Sequence, residues 1–442
     1  MNARRFIGSW ALVVSLVVLG APASTRAVDS DGDGVDDALD VCNNTPFGAA
    51  VDAQGRPLGD IDEDCDVDLE DYLLFQDGFT GPLTAPVGAC CYPDGMCAVE
   101  TEAECAGTWL SHTLSCDPHP CPPAEMVLVP AGEFEMGDPW SEGTADELPV
   151  HDVYVSSFYV DLFEVTNQQY ADWLNWAWAA GDQVTVAGGV VYQAGTGTSH
   201  PYCDTHAYDA DSCIHWDGAS FTVTAGREDH PMVEVSWYGA AAYCNWRSIT
   251  EGKPVCYDLS TWACDFGVAG YRLPTEAEWE KAAAWDPDQQ RHFRFGEGSD
   301  GCGVVCLDGR RANYFDSGDP YDAGEWPETT PAGFYSGALH YKVDFDWPGD
   351  ETSYQTQAAE SWYGCYDMTG NAIEWCHDRY EASYYSSSPY DNPTGPASGT
   401  DRLLRGGSWF DDPFACRSAD RNCLTAAGRE LGVGFRCAAG MP

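Results

Sequence analysis

Hydrophobic and polar positions change rhythm several times along this chain. An apolar run from Phe6 to Gly20 follows Arg4 and Arg5 and stops before Ala21-Pro22-Ala23, the layout of an export signal with its cleavage site. A spanning helix wants about 20 apolar residues and no later stretch supplies them, so no membrane span is expected. Acidic residues then alternate in two loops, the second leading into Tyr72, Leu73 and Phe75 on a short expected helix. Six cysteines follow, spaced by Gly, Pro and Asp, and Pro118, Pro120, Pro122 and Pro123 mark a stiff boundary. From Met126 onward, short apolar runs broken by turn residues predict many short strands and few long helices. Two helices stand out. Thr275 and Glu278 form a capping box ahead of Trp279, Ala282 and Ala283, and a second helix starts at Ser236 and carries Ala240, Tyr243 and Cys244. The expected division is a signal peptide over 1–23, calcium-binding loops over 24–82, a six-cysteine module with its Pro-rich linker over 88–123, and one large domain over 124–442.

Composition narrows the chemistry. With 442 residues and 44% apolar content, the chain has material for at least one large core at about 150 residues per domain. Its 71 acidic against 21 basic residues leave a net charge of −50, which repels nucleic acid and anionic membranes and favours metal cations as partners. Twenty cysteines behind an export signal imply an oxidising compartment, extracellular or periplasmic, and a disulfide framework. Zinc is not indicated, because no paired C-x2-C knuckles with partner histidines appear.

The acidic loops carry the most specific ligand spacing. Asp29, Asp31, Asp33, Gly34, Val35, Asp37 and Asp40 fall at positions 1, 3, 5, 6, 7, 9 and 12 of an EF-hand-type loop, where alternate carboxylates and the Val35 carbonyl converge on calcium. With Asp40-Val41-Cys42 following, this loop resembles thrombospondin type 3 repeats. Asp60, Asp62, Asp64, Asp66, Asp68 and Asp71 resemble a dockerin-type calcium loop, with Cys65 where glycine is usual. A Cys42–Cys65 disulfide would compensate, removing unfolded-state entropy worth roughly 3 kcal/mol. The plainer alternative for both loops is a solvated acidic linker. Cys90, Cys91, Cys97, Cys105, Cys116 and Cys121 suggest three staples in a segment too small for its own core, a spacer or docking module.

A family becomes visible in the large domain. Met126-Val-Leu-Val-Pro-Ala-Gly-Glu-Phe-Glu-Met-Gly137, Glu164-Val-Thr-Asn167, Tyr271-Arg-Leu-Pro-Thr-Glu-Ala-Glu-Trp-Glu280, Gly370-Asn-Ala-Ile-Glu-Trp375, Arg405-Gly-Gly-Ser-Trp409 and Gly434-Phe-Arg-Cys437 resemble, in order, the signatures of the formylglycine-generating enzyme and sulfatase-modifying factor family. The resemblance implies an α+β, C-type-lectin-like domain poor in regular secondary structure and stabilised by calcium. It implies one calcium site on Asp367, Gly370, Ala372 and Glu374, where two carboxylates and intervening carbonyls suit a hard cation. It implies another beginning at Asn313 and Tyr314 and completed from Asp316, Asp319 and Asp322. It also implies a Cys244–Cys437 disulfide, while a second family disulfide falls on Ala283 and Arg421, so both cysteines are absent. Proximity in sequence suggests further pairs: Cys203 with Cys213, Cys256 with Cys264, Cys302 with Cys306, and Cys365 with Cys376.

The resemblance does not by itself imply activity. Formylglycine-generating enzymes hold Cu(I) between two cysteines just beyond the Gly-Gly-Ser motif and oxidise a sulfatase cysteine. Here those positions are Asp411 and Cys416. A carboxylate is a poor Cu(I) ligand, and Cys423 is an expected disulfide partner for Cys416. Copper and a sulfatase-type substrate therefore enter only under the oxidase alternative, with Cys416 and Ser408 as its catalytic residues. An iron-dependent sulfoxide synthase would need a three-histidine N-terminal site, and 24–123 holds only His112 and His119. The favoured expectation is a secreted binding or otherwise diverged member recognising a protein or glycan. Trp409, Phe410, Asp411, Phe414, Arg417, Asp420 and Arg421 are its candidate groove, with burial of Trp409 and Phe414 in the core as the competing reading.

Overall fold

The computed structural model describes residues 87–91, 97–101, 108–110 and 126–441, apart from 182, 300–306 and 323–325. The signal peptide, both acidic calcium loops, the Cys42–Cys65 pair and the Cys302–Cys306 pair lie outside the described residues. In the six-cysteine module, Val87–Cys91 is the middle strand of a three-stranded sheet, flanked by Cys97–Thr101 and Thr108–Leu110.

The large domain is α+β with little helix, as its short apolar runs predict. Three helices carry its buried faces. Helix α1 (Asn167–Ala179) is opened by Thr166, whose hydroxyl accepts from the Gln169 N–H while the Gln169 side chain returns to the Thr166 N–H. It buries Tyr170, Ala171, Trp173, Leu174 and Ala177, one helical stripe. Helix α2 (Trp237–Thr250) starts at the Ser236 cap, and α3 (Glu276–Ala284) at the Thr275–Glu278 capping box, both where the sequence places them. All nine residues of α3 are buried, charged ones included.

Two four-stranded sheets frame the site. With β1 (Met126–Val129), β2 (Phe158–Asp161), β3 (Tyr271–Arg272), β4 (Ile373–Arg379), β5 (Asp401–Arg405), β6 (Asn422–Thr425), β7 (Val433–Gly434) and β8 (Ala438–Gly440), the first sheet has the order β3-β8-β2-β1. The second has the order β6-β5-β4-β7, with β7 parallel to β4 and the other pairs antiparallel. The main core joins α1 and α2 through Tyr170, Trp173, Trp237, Tyr243 and Phe435, while a second core packs α3 against the hairpin of Gly132–Met136 and His151–Val155.

The interior is unusually charged. Arg405, Arg417 and Arg436 are fully buried, and each meets a carboxylate: Arg405 with Glu280, Arg417 with Glu147 at 2.7 and 2.8 Å, and Arg436 with Glu374 at 2.6 Å. Such pairs contribute little net stability, but breaking one leaves an uncompensated buried charge costing roughly 3–5 kcal/mol.

Candidate functional site

Strand β5 runs into the Gly406-Gly407-Ser408 turn. Gly407 is needed there twice over: its φ is 70°, and an added Cβ would sit 2.7 Å from the Cys416 sulfur. Ser408 is buried; its hydroxyl donates to Asp411 Oδ2 at 2.6 Å, and its backbone N–H reaches the same oxygen at 3.0 Å. Asp411 thus closes the turn on itself, and Ser408 has a fixed partner rather than a free face.

Beyond the turn lies a groove of about 390 Å³ between β6, the 408–411 turn and the 430–433 segment. Trp409 forms its floor at 2% exposure, whereas Phe410 stands out at 53%. Trp326 packs against both at 5.4 Å, and Phe315 reaches Phe410 at 6.2 Å. Trp326 and Phe315 are 48% and 57% exposed, so three large aromatics face solvent together. The charged side chains lining the groove among the described residues, Asp411 and Glu430, are both acidic.

Several expected site residues fall elsewhere. Arg417 and Arg421 do not line the groove: Arg417 is committed to Glu147, and Arg421 grips both oxygens of Glu276 at 2.6 and 3.1 Å. Their partners come from distant segments and take both guanidinium groups into the interior. Arg421 thereby ties its segment to α3, the helix that Glu276 opens. Cys416 is buried with Phe295, Leu307 and Ala312; burial first, and then the charge of Asp411, push its thiol well up. The expected Cys416–Cys423 bridge is not formed. Cys416 sits under the glycine turn, while Cys423 lies on β6 among the groove residues, and both are thiols.

The other cysteines divide similarly. Cys244 and Cys437 bring their buried sulfurs to 3.6 Å, and Cys256 and Cys264 interact through their sulfurs beside a short hairpin. Cys203 and Cys213, and Cys365 and Cys376, are likewise thiols, so none of these four expected bridges is formed in the structure.

The two carried-over calcium sets differ in fit. Asp367, Gly370 and Asn371 all adopt left-handed backbone, at φ 57°, 74° and 62°, which shapes the loop ahead of β4. Glu374, however, gives both oxygens to Arg436 and one also to the Trp279 indole N–H at 2.8 Å. Asp367 accepts from the Gly333 N–H at 2.6 Å and is pushed up to about 6 by burial, Gly333 and Arg436 holding it back from rising further. Burial and the neighbouring Asp367 hold Glu164 well above its usual range. As placed, this set turns its second carboxylate to an arginine and does not fit a cation. The set at Asn313 fits better. Asn313 is fully buried, its Nδ2 donates to the Glu328 carbonyl at 2.8 Å, and its Oδ1 has no protein partner. Asp319 and Asp322 share the Ser317 hydroxyl at 2.7 and 3.4 Å, and burial, then Asp322, push Asp319 up to about 7. Amide and carboxylate oxygens are the donor types a hard cation takes, and Asn313 keeps one of them unpaired. Among the described residues, no group of three or more His, Cys, Asp or Glu side chains is arranged to hold a metal ion. No described helix is long and apolar enough to cross a membrane. For Cu(I) the fit fails: one buried, high-pKa thiol and a carboxylate tied to Ser408 are poor partners for a soft ion.

A short-stranded α+β domain with a Gly-Gly-Ser turn above buried Arg–Glu pairs defines the class. The family model described as the sulfatase-modifying factor enzyme 1-like domain matches residues 112–441, and the chain belongs to that family. It is 31% identical over 326 residues to the formylglycine-generating enzyme of Streptomyces coelicolor, covering 71% of this chain and 88% of that one. It is 30% identical over 321 residues to the serine/threonine-protein kinase pkn1 of Chlamydia caviae, covering 72% of this chain but only 38% of that protein. A third relative, from Bos taurus, is named inactive C-alpha-formylglycine-generating enzyme 2, at 26% identity over 330 residues, 71% of this chain and 88% of that one.

Proposed function

We propose that this chain is an exported, calcium-stabilised member of the family whose large domain binds a partner at the aromatic groove and does not generate formylglycine. The observation that carries this reading is the fate of the two copper positions. Asp411 is spent closing the Ser408 turn, and Cys416 is sealed beneath Gly407. A relative named inactive alongside others named as enzymes supports the view that the scaffold outlives the chemistry. The C-type-lectin-like architecture that the resemblance implies suits this role, presenting loops on a compact frame. Calcium is the cation this reading gives to the N-terminal acidic loops and to Asn313 with the acids that follow it in the sequence, where it would hold carboxylates that otherwise repel one another.

The test is to load reduced and oxidised full-length protein with Cu(I) and follow oxygen uptake with a Cys-x-Pro-x-Arg peptide. No stoichiometric copper and no peptide conversion are expected. Tight one-to-one copper with oxygen-dependent conversion of the peptide would instead establish the oxidase and a sulfatase-type substrate.

A further inference from the structure

A second cleft, sharing no lining residue with the aromatic groove, opens between helices α1 and α2. Its volume is about 330 Å³, near the lower end of the roughly 300–1,000 Å³ usual for small-molecule sites. Trp173 and Tyr202 form a buried floor with their rings 5.6 Å apart, and Trp176 from α1 and Trp246 from α2 stand half-buried at 6.3 Å as walls. Gln183 and Gln193 close one end, joined through the backbone bond from the Ala194 N–H to the Gln183 carbonyl.

Two features set this cleft apart. None of its described lining residues is charged, in a chain with 71 acidic and 21 basic residues. Moreover, two lining side chains each keep one buried polar atom with no protein partner: the indole N–H of Trp246 and Oε1 of Gln193, whose Nε2 is held by the Leu259 carbonyl at 3.1 Å. One is a donor and the other an acceptor. Hydroxyl groups answer either need, because each can accept or donate. Leaving such atoms unpaired is costly, so a ligand that pairs them recovers free energy that an alkyl chain would not.

We propose that this cleft binds a neutral saccharide, with the apolar C–H face of a pyranose ring against Trp176 and Trp246 and its hydroxyls directed to the Trp246 N–H and the Gln183 and Gln193 amides. Aromatic faces accept the ring's apolar side, planar amides read its hydroxyls, and the lack of charge leaves an anion or cation without a counterpart. Neither unpartnered atom is exposed, so pairing them requires the Trp246 and Gln193 side chains to turn toward the ring. The size suits one or two sugar residues of a longer glycan.

The experiment is calorimetric titration of the full-length protein with cellotetraose, mannotetraose, maltotetraose and chitotetraose, alongside tryptophan fluorescence. At least one of these probes is expected to bind, and Trp246→Ala to weaken it by about ten-fold or more, the equivalent of 1.4 kcal/mol. Trp246→Phe, which keeps an aromatic face but removes the donor, is expected to weaken it about three- to ten-fold. Gln183→Ala, at an exposed position, should weaken binding without disturbing the fold, and it carries the test with Trp246→Phe if Trp246→Ala does not fold. Phe410→Ala is expected to leave the affinity unchanged. The proposal is overturned if none of the four probes binds, if binding survives Trp246→Phe and Gln183→Ala intact, or if Phe410→Ala abolishes it. The last outcome would place the sugar in the other groove.

Discussion

The two sides of the Gly406-Gly407-Ser408 turn are built on opposite terms. Beneath it, Arg405, Arg417 and Arg421 are buried, and Glu280, Glu147 and Glu276 take their charge. Beyond it, Phe410, Trp326 and Phe315 are left uncovered, and the charges beside them are acidic. The inner side is cross-linked between distant parts of the chain: Arg421 ties the C-terminal segment to α3 through Glu276. The outer side presents aromatic surface. In this chain, the residues that hold the domain together and those it leaves uncovered are separate sets.

That separation can be broken at four places, in descending size of effect. The largest concerns Cys244 and Cys437, thiols whose sulfurs lie 3.6 Å apart and are expected to bridge on oxidation. Cys244 and Cys437 lie on α2 and beside β8, and bridging them closes a very long loop, so in oxidised protein the paired substitution to Ser is expected to cost roughly 4–5 kcal/mol. Non-reducing peptide mapping with denaturant melts checks this, and recovery of either cysteine as a free thiol in oxidised protein contradicts it. Next is Arg421→Ala, expected to cost roughly 3–5 kcal/mol by stranding Glu276, with Arg421→Lys a poor rescue because an ammonium cannot grip both carboxylate oxygens. An Arg421→Ala melt close to that of the parent would mean the pair is not a structural tie.

A smaller effect comes from pH. Burial, reinforced by Asp209 and Asp204, pushes Glu234 up to about 8, so the folded chain holds this proton more tightly than the unfolded chain. Its contribution to stability is full below the ordinary value of 4.5 and is lost as pH rises through about 8. Asp420, pushed up to about 7 by burial against the opposing pull of Arg417, acts in the same direction. Melting temperature should therefore fall between pH 5 and pH 8.5, and Glu234→Gln should recover about 2–4 °C at the upper end. A flat profile for the parent protein would contradict this. The smallest effect is on the outer side: Phe410→Ala should change stability by no more than about 0.5 kcal/mol. A large loss there would show that Phe410 belongs to the core and not to a recognition surface.

Sequence reasoning reached what is local. The Thr275–Glu278 box and the Ser236 cap act within one helical turn, so both helices begin where the residues indicate. Phe410 and Asp411 were legible because they ride directly on the Gly-Gly-Ser turn. Arg417 and Arg421 were misplaced because their partners lie 270 and 145 positions away in the chain, and nothing local reveals a buried carboxylate. Phe315 and Trp326 were missed for a related reason. A backbone bond from the Phe315 N–H to the Asp411 carbonyl brings that loop to the turn, and its sequence signal is only large aromatics set among acids. The α1–α2 cleft draws on both helices and three strands, so no single window shows it.

The first sheet has one further consequence. Strand β2 is flanked by the domain's opening strand β1 on one side and its closing strand β8 on the other, with Val129 and Gly440 both in register with Phe158. The outermost ends, Met126 and Gly440, are therefore separated by the length of β2 and two strand spacings, roughly 14 Å. A fold whose ends return to one strand can be spliced onto another polypeptide like a bead on a thread, leaving the host's path almost undisturbed. The same geometry should let a short flexible linker join Gly440 to Met126, with new ends opened in an exposed loop, to give a circular permutant that still folds.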